Sequence, residues 1–302
     1  MHPGHRLRAL LDQPEILVLP GVHDALSARL AQAHGFQALV AGGNAATGTL
    51  LGAPDLGQLG MRDFAGHYAR IAAATGLPLL VDADTGFGGP HNVARTVRSF
   101  EQAGIAGLFM EDQVSPKRCG YLAGKAVVPV REQLAKLSAA LDARRDPAFV
   151  ICARTDALGV EGLDAALERA AMYRAAGADM VFIQGADSLP TLRAACAAVP
   201  GPHLANVSQA SGKDGLSVDA CQAAGAAAVM FSIAALLAAT QAMDRLFAAL
   251  KRDGGLQAVT GELMPIEAYN ALVGLDAAQE AEARHAARAE AIIAAATVPA
   301  GA

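Results

Sequence analysis

Cysteine is sparse in this chain and widely spaced. Its four residues, Cys119, Cys152, Cys196 and Cys221, form no CxxC pair, which excludes the usual zinc spacing and a small disulfide framework. That usage fits a reducing cytoplasm. Lys and Arg form no stripe and the net charge is -5, so a footprint for nucleic acid is missing and a small-molecule partner is expected. A signal peptide is not expected either, because Met1 to Arg6 precede only a short apolar stretch broken by Asp12 and Pro14. One uncharged run, Ala223 to Thr240, is long enough to raise the question of a membrane span. Gly225 and Ser232 divide it into a short strand and the start of a helix, and no other segment resembles it. Finally, neither a GxGxxG fingerprint nor a P-loop occurs; Gly42-Gly43 is a weak glycine signal by itself.

Hydrophobic residues make up 53% of the 302 residues, ample for one large core. Short apolar runs recur at Ile16–Leu19, Ala38–Ala41, Leu79–Val81, Gly107–Met110, Phe149–Ala153, Met180–Ile183, His203–Ala205 and Ala227–Phe231. Between them lie helix-like segments such as Asn92–Ala103, Arg131–Ala143, Leu163–Ala176 and Leu189–Ala198, and many of the helix-like stretches end in glycine. Eight alternations of strand and helix imply an α/β fold with parallel strands, closed as a (β/α)8 TIM barrel; an open doubly wound sheet is the other possibility. The repeat stops at Gly254-Gly255. The expected organisation is a catalytic barrel over 1–255 and a helical extension over 256–302, with Pro265 to Ile293 read as helix.

The stretch Leu79 to Gly88, LLVDADTGFG, organises the rest. Asp82 and Asp84 end an apolar run two residues apart, and the period of two along a strand points both the same way. Like charges that close need a cation between them, and Mg2+ or Mn2+ suits oxygen donors; Asp before Gly is also ordinary turn chemistry. In barrels of this kind chemistry sits at the C-terminal ends of the strands. That rule adds Asp55, Glu111, Asp112, Arg154, Asp156, Gln184, Asn206, Ser208 and Ser232. Asp112 and Asp156 have structural readings too, as a buried pair and a turn cap. The loop Gln113 to Lys125 has hinges at Gly120 and Gly124 and the length of a lid. Lys117 and Arg118 directly before Cys119 favour its thiolate and mark it as a proton donor or base, whereas the other three thiols stand in apolar segments.

These residues resemble the isocitrate lyase and phosphoenolpyruvate mutase superfamily. The likeness is carried by Val81-Asp82-Ala83-Asp84-Thr85-Gly86-Phe87-Gly88, Glu111-Asp112-Gln113, Lys117-Arg118-Cys119-Gly120 and Ala153-Arg154-Thr155-Asp156-Ala157, and extends over about residues 14 to 255. The lid motif KxCG is similar to that of the methylisocitrate and dimethylmalate lyase branch. The resemblance implies a Mg2+-dependent carbon–carbon lyase that cleaves a 2-hydroxy di- or tricarboxylate into a 2-oxo acid and a carboxylate. It implies that Asp82 binds the ion directly and that Asp84, Glu111 and Asp55 hold it partly through water. Cys119, Arg154, Lys117 and Glu111 would carry the chemistry. Ala41, Gly42, Gly43, Asp82, Gly120, Arg154, Gln184, Asn206 and Ser208 would bind substrate, with backbone donors from Gly42 and Gly43 and a distal carboxylate held by Asn206 and Ser208. Members form helix-swapped dimers or tetramers. This chain departs from the pattern at Leu39 and Ala41, where Tyr-x-Ser is usual, at Phe109 and Tyr121, where His is usual, and at Gln184, where Glu is usual; these bear on the substrate more than on the reaction. The rival activities are oxaloacetate decarboxylation or hydrolysis and phosphorus–carbon chemistry, against which Cys119 argues, and a barrel that binds a dicarboxylate without turnover.

Overall fold

The computed structural model describes residues 2–208 and 216–297. Its eight strands are β1 (Leu17–Pro20), β2 (Leu39–Ala41), β3 (Leu79–Asp82), β4 (Gly107–Glu111), β5 (Val150–Thr155), β6 (Met180–Ile183), β7 (Leu204–Asn206) and β8 (Ala228–Phe231). Each lies within two residues of its expected bounds. All pairs are parallel, in the arcs β2-β3-β4-β5-β6 and β1-β8-β7. Both gaps between the arcs are bridged. Val22 N donates to Val40 O at 2.8 Å beside the Gly21–Val40 bridge, and Val181 N donates to Pro202 O at 3.1 Å beside the Val181–His203 bridge. The sheet is therefore a closed barrel, without the edges that an open doubly wound sheet would leave.

Local chemistry sets where the crossover helices start and stop. Asp24 and Ser27 form a capping box at Ala25–Ala33, Ser188 and Ser217 cap Leu189–Ala198 and Val218–Ala224, and Gly225 ends the latter at φ 98°. The helix Pro3–Leu11 was not expected from the sequence, where Gly4 and the shortness of the stretch hide its period. Its Leu7 is fully buried with Leu17, Leu19, Leu80 and Val150 in the barrel interior, and Arg8 donates to the Ala148 and Pro147 carbonyls.

The chain divides into two compact units, Met1–Gln241 and Ala242–Ala302. The second holds helices Ile266–Val273 and Leu275–Thr297. The single helix expected over Pro265 to Ile293 is broken at Gly274, whose φ of 81° lies in the left-handed region. Within this unit Phe247, Met264, Ile266, Ile292 and Ile293 are each more than half exposed. Among the described residues no helix is long and apolar enough to cross a membrane.

Candidate active site

The barrel interior positions the site. Leu80, Phe109, Cys152, Phe182, Leu204 and Met230 belong to the interior apolar cluster. Two residues further on, on the same side of each strand, come Asp82, Glu111, Arg154, Gln184, Asn206 and Ser232. One apolar layer thus gives way to one polar layer at the strand ends. Above it lies a cleft whose walls include Gly42, Gly43, Asn44, Asp55, Asp82, Lys117, Cys119, Gly120, Arg154, Gln184 and Asn206. Phe109, Phe182, Met230 and Ile233 are among its apolar lining.

Asp82 and Asp84 do converge, but not through the strand pleat. Asp82 is the last residue of β3, and Asp84 lies beyond it with φ 44°, a conformation that costs a non-glycine residue about 1 kcal/mol or more. Asp84 N donates to Asp82 Oδ1 at 2.9 Å and Glu111 N donates to Asp84 O at 2.9 Å, which hold the turn. Lys117 Nζ then lies 2.7 Å from Asp55 Oδ2 and 2.9 Å from Asp84 Oδ1. Its charge is therefore taken up by carboxylates. Gly43 N donates to Asp82 Oδ2 at 3.0 Å, so that backbone donor is already engaged instead of being offered to substrate. A Cβ at Gly43 would lie 3.0–3.2 Å from Asp84 Oδ1, Asp82 Oδ2 and Lys117 Nζ. Only glycine lets the β2 loop approach the carboxylates this closely.

Arg154 is held from two sides. Its Nη1 is 2.9 Å from Glu111 Oε2, while Nε and Nη2 reach Asp156 Oδ2 and Oδ1 at 2.9 and 3.2 Å. Its guanidinium carbon lies 5.3 Å from the centre of the Phe182 ring. Asp156 is thus a ligand of Arg154 as well as a turn residue. Asp112 points elsewhere, accepting from Thr155, Tyr173 and the Asp156 backbone, with Arg169 3.4 Å away, and it serves as a buried structural anchor.

The electrostatics follow from burial. Desolvation pushes the Asp84 carboxyl up to about 7 and the Glu111 carboxyl well above the usual range, against the pull of Lys117 and Arg154 respectively. Burial alone would lower Lys117, but Asp84, Asp82, Glu111 and Asp55 outweigh it and raise its pKa. Asp156 moves the other way; burial opposes its charge, but Arg154 and Lys125 prevail and lower it. Cys152, inside the barrel, is raised by burial and is an inert thiol.

A divalent cation fits this donor set. Five buried carboxylates (Asp55, Asp82, Asp84, Glu111, Asp156) face the cations Lys117, Lys125 and Arg154, which leaves two formal negative charges uncompensated. Asp55 Oδ1 and Glu111 Oε1 are buried without a hydrogen-bond partner among the described residues. Each Asp82 oxygen accepts one backbone hydrogen bond and keeps a lone pair. Among the described residues no three His, Cys, Asp or Glu side chains are gathered at ligand distance, and Lys117 Nζ bridges Asp55 and Asp84. Mg2+ suits such a set, because it needs one or two carboxylates and keeps several waters.

Residues 7–251 match the family described as phosphoenolpyruvate phosphomutase. The chain belongs to this family. It is 44% identical over 251 residues to the 2-methylisocitrate lyase of Shewanella oneidensis, covering 83% of this chain and 86% of that protein. It is 37% identical over 286 residues to the 2,3-dimethylmalate lyase of Eubacterium barkeri, covering 95% and 99%. Among solved structures, an oxaloacetate acetylhydrolase bound to 3,3-difluorooxalacetate superposes with a TM-score of 0.88 at 36% identity, covering 94% of this chain and 97% of that one. A phosphonopyruvate hydrolase solved with oxalate and Mg2+ superposes with a TM-score of 0.83 at 29% identity, covering 94% and 99%. The lyase names agree with the carbon–carbon lyase that the family resemblance implied.

The family's expected site residues largely meet in the cleft. Ala41 and Glu111 do not line it but lie behind it, as does Asp84, and Ser208 lines an outer vestibule with Pro54, Leu122, Ile233 and Leu237. Asn206 is partly occupied, since its Nδ2 donates to Tyr121 Oη at 2.9 Å and its Oδ1 accepts from Ser232 Oγ at 3.1 Å. Sequence reasoning passed over Asn44, whose Nδ2 is 3.4 Å from Cys119 Sγ. It also passed over Tyr68, whose phenol is pushed well up by burial and by Asp82, Asp84 and Asp55. Asn44 follows the glycine pair and could have been found as the first polar residue there; Tyr68, in the helix Met61–Ala74, carries no local signal.

Proposed function

We propose that this protein is a divalent-cation-dependent carbon–carbon lyase that cleaves an alkyl-substituted, malate-like 2-hydroxy dicarboxylate into pyruvate and a saturated carboxylate. The observation that carries this reading is a cleft whose lining joins charged groups, Asp82, Lys117 and Arg154, to apolar ones, Phe109, Phe182 and Met230, with Cys119 on the same wall. The dimethylmalate and methylisocitrate lyases among the relatives support it.

When bound at Asp82, with Asp84, Glu111 and Asp55 around it, Mg2+ or Mn2+ would lower the pKa of the substrate hydroxyl and polarise the carbonyl that forms. Arg154, fixed by Glu111 and Asp156, presents its guanidinium to the carboxylate and the developing oxyanion. A base takes the hydroxyl proton, the C=O bond forms as the C2–C3 bond breaks, and the electron pair moves to C3 and into the distal carboxylate; the proton held by the base later replaces the one that Cys119 gives up. Cys119 Sγ–H then protonates C3, so each product leaves with a complete valence. Lys117 pairs with both Asp55 and Asp84 and keeps the carboxylate cluster compact.

Phe109 and the neutral Gln184 shape the specificity. A carboxylate buried against Phe109 without donors costs several kcal/mol, whereas an alkyl group there gains about 0.8 kcal/mol per methylene. In a panel assayed with Mg2+, an alkylmalate should therefore give a higher kcat/KM than isocitrate, with methylisocitrate between them or comparable to the alkylmalate. Phe109→His with Gln184→Glu should move preference back toward the tricarboxylate. Isocitrate cleaved best by the wild type would overturn this reading of the pocket. The oxaloacetate acetylhydrolase likeness favours one other reading, hydrolysis of oxaloacetate, and an oxaloacetate arm in the panel separates them by products.

We also infer that residues 1–255 carry the chemistry and that 256–302 dock on a second copy in a dimer or tetramer, supported by the exposed Ile266, Ile292 and Ile293. A monomer by analytical ultracentrifugation would refute that. The free cysteines suit a cytoplasmic setting, which fractionation of cells followed by detection of the protein would test.

A further inference from the structure

Most residues of the lid loop are exposed, yet both of its lysines turn inward. Lys117 and Lys125 have side chains only 3% and 9% exposed. The first is tied to the carboxylate cluster, as described above. The second reaches the carboxylate that holds Arg154. Its Nζ donates to the Gly120 carbonyl at 2.5 Å and to Asp156 Oδ1 at 2.9 Å. The same Asp156 carboxylate accepts from Arg154 Nε and Nη2, and its backbone N–H is anchored on Asp112. Gly120 in turn is packed so closely that an added Cβ would lie 2.6 Å from Gln184 Cδ and 2.7 Å from Arg154 Nη2. One ammonium group therefore touches both the peptide next to Cys119 and the carboxylate that aims the guanidinium.

We propose that Lys125 is a positioning residue, a latch that sets lid closure and the orientation of Arg154 together by bridging the Gly120 carbonyl and Asp156. The chemistry of the bridge explains why a lysine stands there. A buried carboxylate that already holds one cation needs its remaining lone pairs satisfied, and an ammonium has three donors on a flexible stem, enough to serve Asp156 and a carbonyl at once. With the lid open, Lys125 leaves Asp156 bound by Arg154 alone, and the guanidinium is free to change its grip. With the lid closed, Gly120 and Arg154 are locked edge to edge. This coupling makes the Cys119 thiol arrive only when the anion clamp is set.

The proposal rests on the lyase reading, and its test keeps the two apart. Lys125→Met keeps the stem and removes the donors; Lys125→Arg restores charge with a different fork. Three quantities are read on the intact protein: kcat and KM, the melting temperature, and the rate at which iodoacetamide alkylates Cys119 with and without oxalate and Mg2+. We expect Lys125→Met to lose roughly 10²-fold in kcat, the cost of a misplacement near 1 Å, with a smaller change in KM and a lowered melting temperature that still leaves the protein folded at the assay temperature. Alkylation of its Cys119 should no longer be slowed by oxalate and Mg2+, whereas that of the wild type should be. Lys125→Arg should recover part of both. Wild-type kcat and wild-type protection of Cys119 in Lys125→Met would overturn the latch, as would a loss of activity matched by an equal loss of folded protein. If the wild type releases no 2-oxo acid from any substrate, the lyase reading fails; protection of Cys119 in wild type but not in Lys125→Met would still support the latch.

Discussion

Gly120→Ala is a small change whose cost can be worked out atom by atom. The added methyl group would meet Gln184 Cδ at 2.6 Å and Arg154 Nη2 at 2.7 Å, whereas ordinary contacts between heavy atoms need about 3.5–4.0 Å. A gap of roughly 1 Å must open. Arg154 cannot easily yield, because Glu111 and Asp156 hold three of its nitrogens. The lid is exposed and has a left-handed hinge at Gly124 with φ 77°, so the lid moves and carries Cys119 with it. A displacement of that size costs about 10²-fold in rate. We expect kcat for 2-oxo acid release to fall by about that factor while the melting temperature holds, since no buried side chain is removed. Gly66→Ala is the matched control: Gly66 is exposed in the helix Met61–Ala74 and a Cβ there meets nothing within 4 Å. It should gain up to about 1 kcal/mol of stability at unchanged kcat. A wild-type kcat in Gly120→Ala would show that the lid does not seat against Arg154 during turnover.

Chelation with EDTA should abolish turnover and Mg2+ or Mn2+ restore it, and Asp82→Ala should weaken binding of the ion measured by calorimetry; full activity after thorough chelation would contradict the metal assignment. Cys119→Ser should lower kcat by about 10²–10⁴-fold, the usual contribution of general acid catalysis, with fold and metal binding intact, whereas Cys152→Ser should affect stability more than rate; the reverse pattern would mean the wrong thiol was chosen. His203 is buried and bonded to Val199 O at 2.7 Å, and burial lowers its pKa below 6.5. Its folded pKa lies below its unfolded one, so the stability it contributes is present above about pH 6.5 and is lost as pH falls toward the lowered value. His203→Asn should therefore be less stable than wild type near neutrality yet lose less on acidification, and parallel melting curves across that window would count against the assignment.

Much of this arrangement was legible because strand ends obey a simple rule. Runs such as Leu79–Val81 and Phe149–Ala153 are apolar because both faces of a parallel strand are buried, and the polar residue that breaks each run points into the barrel mouth. Asp82, Glu111, Arg154, Gln184 and Asn206 were all found in this way. What failed to show was decided by distance in sequence. Lys117 reaches Asp55 across 62 residues, and nothing local says that it sits among carboxylates. Asp84 was read as part of the strand, although its left-handed backbone turns it out of the pleat. Lys125 stood in a loop read for its glycines and for Lys117, Arg118 and Cys119, and its contact with Asp156 spans 31 residues. Helix Pro3–Leu11 escaped notice because its stabilisation comes from the barrel interior and not from its own period.

The most direct measurement is to follow a dimethylmalate labelled with 13C at C2 and C3 by NMR in D2O with Mg2+-loaded protein. The coupling between the two labelled carbons should vanish as labelled pyruvate appears together with a saturated carboxylate carrying one deuterium on the former C3. An unchanged diacid, with oxaloacetate converted to oxalate and acetate under the same conditions, would contradict the lyase assignment.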